Sequence, residues 1–402
     1  MASLRWTFLA APLFAGAALG CGAILGLTDP AVDDNLVLDG GSDAKRDAVT
    51  GPDGCVSCNA STCTDFKNDS QNCGSCGHVC NQGTTCSDGL CPAEKLQTVS
   101  YASHIVVDAT HLYFSDLFTM YRVPTAAPTG PPATLESAPS AIRGFAVTGT
   151  DLYLNFGGGA DQNNVLTSTS KTKRCPTTGC PGANGGIELP TNAAIAGMME
   201  ASTAGIYFWD IFNGGLKRCA YPECAGGMNP PGLQGYAVGG IAIGTEGVYY
   251  TDDSKSGSAQ GVYVCDLGGC NVKETQLLKS PSPIGLALGA KLVYAAELFK
   301  GSIIALPRQG NTGDPVEVAT GLTAPVRVAV DDKYVYWAEQ GTVDNSGHST
   351  DGRIARCPLG TTCGAKVEVL AAKLDWAIDV AVDAKYVYFA TAGDDTIWRV
   401  PK

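Results

Sequence analysis

VAVDDKYVYWAE (Val328 to Glu339) and VAVDAKYVYFAT (Val380 to Thr391) are almost the same twelve residues written twice. In each, apolar residues alternate with others, the run breaks at an Asp-centred turn, and alternation resumes around a tyrosine. Period-two alternation marks a half-buried strand and the Asp-centred break marks a turn, so the segment reads strand, turn, strand. Weaker copies are VVDATHLYFSD, AVTGTDLYLNF, EASTAGIYFWD, AIGTEGVYYTD and ALGAKLVYAAE. Tyr113, Tyr153, Tyr207, Tyr249, Tyr294, Tyr336 and Tyr388 mark the register, spaced 40 to 54 residues apart. Third strands follow in MYRVP, LKRC, GVYVC, SIIALP, RIARC and TIWRVP, and fourth strands in ATLES, TQLLK, VEVAT and VEVLA. A lone four-stranded unit has two faces and little core; stacking units around an axis buries both faces. The period and strand count therefore predict an all-β protein whose residues 95–402 form one seven-bladed β-propeller. The chain stops after three strands of the seventh unit, and Leu96 to Ser100 (LQTVS) stands spare in front of the first. We expect LQTVS to complete the last blade and close the ring.

VYWAE, LYFSD and VYYTD resemble the YWTD and NHL-type propeller repeats. The resemblance covers most of the chain and is specific at the tyrosine strand and the apolar-Asp strand before it. YWTD propellers have six blades, whereas seven units are present here.

Ahead of the repeats, residues 1–20 read as an export signal: Arg5, an apolar run from Trp6 to Leu19, and small residues before Cys21. Ala18-Leu19-Gly20-Cys21 resembles the lipobox of bacterial lipoproteins, with Ala18 where that family prefers Leu. The resemblance implies cleavage before Cys21 and its lipidation. Gly22 in place of Asp implies the outer membrane, on its periplasmic side or at the cell surface. An uncleaved membrane anchor reaching Leu27 is the alternative. Residues 21–54 are rich in Asp, Gly and Pro and read as a flexible, self-repelling tether.

Residues 55–91 carry Cys55, Cys58, Cys63, Cys73, Cys76, Cys80, Cys86 and Cys91, with Phe66 as almost the only large apolar side chain. So small a module needs staples. Cys55-x2-Cys58 and Cys73-x2-Cys76 have zinc-knuckle spacing, but the even count and an oxidising compartment favour four disulfides, whose connectivity cannot be read. Asn72-Cys73-Gly74-Ser75-Cys76-Gly77 resembles a small Cys-rich repeat of secreted bacterial proteins, which implies no activity. Four further pairs, Cys175 with Cys180, Cys219 with Cys224, Cys265 with Cys270 and Cys357 with Cys363, each bracket a turn from third to fourth strand, where a hairpin places them within disulfide reach.

The net charge of −12 argues against nucleic acid and against anionic lipid headgroups. Three residues after the blade tyrosine stand Asp116, Asp210, Asp252, Glu297 and Glu339, with Phe156 and Thr391 in units two and seven. Such carboxylates either ring one end of the channel, able to hold Ca2+ or a basic ligand, or accept N–H bonds from their own turns. Asp108, Asp331 and Asp383 pose the same choice. The loops Gly157 to Asn164, Asp253 to Gly261 and Gln340 to Gly352 leave on the carboxylate end, opposite the disulfide hairpins, and long loops on one face commonly carry specificity. That face, with His348, is the expected binding face. No HExxH, G-x-S-x-G, P-loop, EF-hand or sialidase pattern is present. His104 or His348 facing the channel beside a carboxylate is the one route to acid-base chemistry, as in propeller lyases. The expected function is a non-enzymatic, monomeric scaffold on the cell envelope that binds a protein, peptide or glycan and carries no resident cofactor. The alternative is a propeller lyase or hydrolase, with a divalent cation optional.

Overall fold

A computed structural model describes residues 49–50, 56–58, 64–102, 104–138, 140–157, 170–180, 185–190, 196–210, 216–224, 228–229, 239–252, 260–267, 274–308, 314–346 and 348–402. Cys21 and the expected export signal, most of the expected tether, Cys55, Cys63, Cys270, and most of the loops after Gly157 and Asp252 lie outside these residues.

Seven four-stranded antiparallel sheets follow one another along the chain. Six are built from consecutive strands. The seventh joins Ala377–Val382, Tyr386–Thr391 and Thr396–Pro401 to Glu94–Thr98 from the front of the repeat array. The ring therefore closes as the sequence predicts, with the strand beginning two residues earlier than LQTVS. Val99 instead donates its N–H to the Asp395 carbonyl beyond the strand (2.8 Å). Leu96 and Val99 pack with Ile105, Leu112, Phe114, Tyr388 and Ile397, so the closing strand lies in the core shared by the first and last blades. Fourth strands in blades 2 and 3 are Ile187–Leu189 and Met228–Asn229, too short to leave a periodic trace in the sequence.

The repeated tyrosine has a structural cause. All seven are buried in second strands, flanked by apolar neighbours that fill the space between blades. In blades 1, 6 and 7 the hydroxyl donates to the Asp of the preceding turn. Tyr336 Oη bonds Asp331 Oδ2 (2.8 Å), while Asp331 Oδ1 accepts the Lys333 and Tyr334 N–H groups (2.8 and 2.7 Å). Asp383 and Asp108 repeat this pattern with Tyr388 and Tyr113. In blades 2 and 3, where the Asp is absent, the tyrosine reaches the next blade: Tyr153 Oη to Pro222 O (3.1 Å) and Tyr207 Oη to Leu267 O (2.7 Å). In these five blades the buried phenol is satisfied, as low-dielectric surroundings require.

Disulfides Cys175–Cys180, Cys219–Cys224 and Cys357–Cys363 staple the third-to-fourth-strand turns, and Cys265 is also oxidised. In the N-terminal module the bonds are Cys58–Cys76, Cys73–Cys86 and Cys80–Cys91. They occupy both described cysteines of the second CxxC pair, which rules out thiolate zinc ligation there. The module is not isolated. Its buried cysteines pack with Tyr336, Val387 and Val400 at the disulfide end of blades 6 and 7. His78 is buried between the Cys73 and Pro401 carbonyls (2.6 and 3.2 Å), and Ser75 donates to Glu368. Burial first, then Arg356, pushes the His78 pKa down.

Candidate functional site

The carboxylates after the blade tyrosines sit where second strands turn into third strands, as their spacing implies. Among the described residues, no three of them come close enough to share a metal ion. Each described environment is local. Asp116 accepts the Phe118 and Thr119 N–H groups (2.7 and 2.6 Å) and the Tyr121 hydroxyl (2.9 Å). Glu297 takes the Ser302 hydroxyl (2.5 Å) and Lys300 (3.1 Å). Glu339 is fully buried and accepts the Thr323 N–H, the Trp337 indole N–H and Arg353 Nε (2.8, 2.9 and 2.7 Å). Asp252, also buried, ends its strand opposite Gly261, and Asp210 ends the second strand of blade 3 opposite Ala196. His348 bonds Asp375 Oδ2 through Nδ1 (2.6 Å) in a loop that Asp344 and Asp351 knit together. Asp116, Glu297, Glu339 and His348 thus hold turns and strands in place, and the three carboxylates have few lone pairs left for a ligand.

Chemistry collects one strand further in. First strands adjoin one another around the axis, and in five of the seven blades the first strand is bulged near its start. A bulge re-aims the side chain beside it. Aligned on the blade tyrosine, the position nine residues earlier holds His104, Gly144, Met198, Gly240, Gly285, Arg327 and Asp379. Gly285 is required by close approach: a Cβ there would stand 2.3 Å from Val326 O and 2.8 Å from Arg327 Cα. The four side chains meet across this tightened ring. His104 Nδ1 lies 2.8 Å from Asp379 Oδ2, which also accepts the Ile105 N–H at 2.8 Å. Arg327 approaches Asp379 Oδ1 (3.8 Å), donates to Gly239 O (2.5 Å) and touches Met198 Sδ (2.7 Å). The Phe145 ring lies 5.0 Å from the imidazole.

Burial by itself would raise the Asp379 carboxyl. The charge and hydrogen bond of His104, then Arg327 and the Ile105 N–H, outweigh it and hold the pKa below the usual range. An ionised carboxylate can only accept, so Nδ1 carries a proton in this bond. Nε2 has no partner among the described residues, and the His104 side chain is 22% exposed. Two residues further along the first strands, the aligned position is Val106, Ala146, Glu200, Ala242, Ala287, Ala329 and Ala381. Glu200 is thus the one ionisable group in a layer of small apolar residues. Desolvation raises its pKa to about 7, against the lowering pull of His104 and Arg327 and with the help of Asp379.

This cluster lies at the expected end. Pro325, two residues before Arg327, pairs with Glu339, and Ala377, two before Asp379, pairs with Thr391. Of its members the sequence reading singles out His104. Arg327, Asp379, Met198 and Glu200 escape it, although aligning the seven units on their tyrosines shows each as a departure from glycine or alanine.

No protein-family model matches the chain, and no curated protein matches it in sequence. The fold is similar to that of virginiamycin B lyase from Staphylococcus aureus (TM-score 0.57, 12% identity, 77% of this chain and 98% of that chain). A second similar structure is a catalytically inactive histidine-to-alanine variant of that lyase with quinupristin (TM-score 0.55, 12% identity, 77% of this chain and 99% of that chain). The WD40 propeller domain of Doa1 is similar to the same degree (TM-score 0.56, 10% identity, 77% of this chain and 97% of that chain). At such identities these likenesses show the fold alone, one that serves binding and enzymatic propellers alike.

Proposed function

We propose that this chain is an exported lipoprotein, lipidated at Cys21 and anchored at the outer membrane, whose propeller binds a ligand at the channel mouth. The observation that carries the reading is convergence: His104, Asp379, Arg327 and Glu200 come from blades 1, 7, 6 and 3 and meet around one axis. Polar groups gathered from distant parts of a rigid fold, two of them, Asp379 and Glu200, with perturbed pKa values, are the usual mark of a binding site. The N-terminal module packs at the other end and leaves this mouth clear. The partner expected there is a peptide, protein or glycan. The test is cross-linking capture from intact envelopes with the wild-type chain, His104→Ala and Glu339→Gln. Loss of a captured species in His104→Ala alone supports the mouth; equal capture by all three sinks it.

One observation favours a second reading. His104 has its Nδ1 proton held by an ionised carboxylate and its Nε2 open, the arrangement of an oriented general base. Glu200 holds its proton near neutral pH and is placed to act as the acid. A histidine oriented by a carboxylate and a carboxyl group that desolvation keeps protonated can divide an elimination between them, as a lyase requires. Here His104 would take a carbon-bound proton and Glu200 would protonate the leaving group. A bell-shaped pH profile for the appearance of a conjugated double bond, lost in both His104→Ala and Glu200→Gln, would establish it; turnover that survives either change removes it.

A further inference from the structure

Arg327 is a half-buried arginine whose fork is incompletely paired, and the protein itself supplies the comparison. Arg356 places two nitrogens on the two oxygens of Glu368 (2.9 and 2.7 Å). Arg308 does the same with Glu246 (2.5 and 2.8 Å). Two parallel N–H···O bonds to a carboxylate are what a guanidinium fork is shaped to make. Arg327 is enclosed nearly as far as Arg308, at 20% side-chain exposure against 16%, yet makes one good hydrogen bond, to Gly239 O. Its other contacts are a thioether sulfur, a weak acceptor, and a carboxylate oxygen at 3.8 Å, beyond hydrogen-bond reach.

The carboxylate that could complete it is engaged elsewhere. Asp379 Oδ2 is shared by His104 Nδ1 and the Ile105 N–H, and Oδ1 accepts the Val380 N–H (2.9 Å). Glu200 does not substitute for it, because its protonated form donates and brings no charge. A guanidinium fork thus faces the axis of an acidic protein without its usual partner.

Building on the mouth as the binding site, we propose that the channel mouth recognises a carboxylate group on the ligand, with Arg327 as its anchor. The incoming carboxylate displaces the Met198 thioether from the fork and accepts two parallel N–H bonds. The Glu200 hydroxyl is available as a further donor. The charged and titratable groups facing Glu200 are His104, Arg327 and Asp379, and the neighbouring first strand of blade 2 carries Arg143. As Glu200 ionises toward alkaline pH it repels the ligand, so affinity falls as pH rises through about 7.

The test uses the purified full chain titrated with 13C-acetate, and with methylammonium as the opposite charge, at fixed ionic strength and slightly acid pH. Acetate should bind and methylammonium should not. Arg327→Gln should weaken acetate at least about tenfold, the scale of one lost charge-assisted pair. Arg327→Lys, which keeps the charge without the fork and guards against a folding defect, should weaken it by a smaller factor. Met198→Leu should leave it unchanged or tighter. Acetate binding that is equal in wild type and Arg327→Gln, or a preference for methylammonium, overturns the proposal. If acetate fails while envelope capture still depends on His104, the ligand class is wrong and the mouth stands; if both fail, both readings fall. An acetylated dipeptide with a free C-terminus and galacturonate, run side by side, identify the source of the carboxylate: the tighter binder names it.

Discussion

Replacing Glu200 by Gln removes an ionisation that the fold opposes. The folded pKa is about 7 against an ordinary 4.5. Below the ordinary value both folded and unfolded chains hold the proton, and the group contributes nothing to pH dependence. As pH rises, the unfolded chain ionises first while the folded chain keeps its proton. The folded state then binds more protons than the unfolded one, so stability falls with pH until the folded pKa is passed, and is flat above it. At 1.36 kcal/mol for each tenfold ratio, the interval corresponds to a cost of about 3 kcal/mol at alkaline pH. Gln has nearly the same shape and no such cost. Urea unfolding of both proteins, disulfides intact, at several pH values between about 4 and 8.5 isolates the effect, since all other titrations cancel in the difference. Glu200→Gln should match wild type near pH 4 and exceed it by about 3 kcal/mol above neutrality. A difference that stays flat with pH, or a variant less stable at alkaline pH, would refute the claim that Glu200 is desolvated in the channel.

Deleting Lys95 to Ser100 should expose the edge of Thr396–Pro401 and cause aggregation on size-exclusion chromatography; a monomer with unchanged melting would break the closure account. Leu96→Ala, at a site 5% exposed in the seam between blades 1 and 7, should cost about 2–4 kcal/mol in chemical unfolding. Glu339→Ala strands the Trp337 N–H and Arg353, so its expected signature is a stability loss of about 3 kcal/mol rather than a selective loss of ligand. Tyr336→Phe should cost about 1 kcal/mol by leaving Asp331 without its phenol partner; a neutral result would show that Lys402, also on that carboxylate, suffices.

The propeller is legible in the sequence because its cause is local and repeated. Alternation and a tyrosine that needs a core are written out seven times, and in three units an Asp closes the turn before the tyrosine and takes its hydroxyl. Even closure can be read, since three strands at one end and a spare one at the other leave a single economical pairing. The hairpin disulfides follow from spacing for the same reason, their cysteines being opposed within one turn. Connectivity in the Cys-rich module could not be read, because Cys58 reaches Cys76 and Cys73 reaches Cys86 by a path that no pattern records. The carboxylates illustrate a different limit: sequence placed Asp116 and Glu339 at the right end, but which way each turned depended on donors such as Thr323 N and Arg353 Nε, brought near only by folding. The channel cluster needed tertiary structure outright. His104 and Asp379 are 275 residues apart, and nothing local in either segment calls for the other. They meet because ring closure sets blade 7 beside blade 1, and because glycines on neighbouring first strands draw the axis tight enough for four side chains to touch.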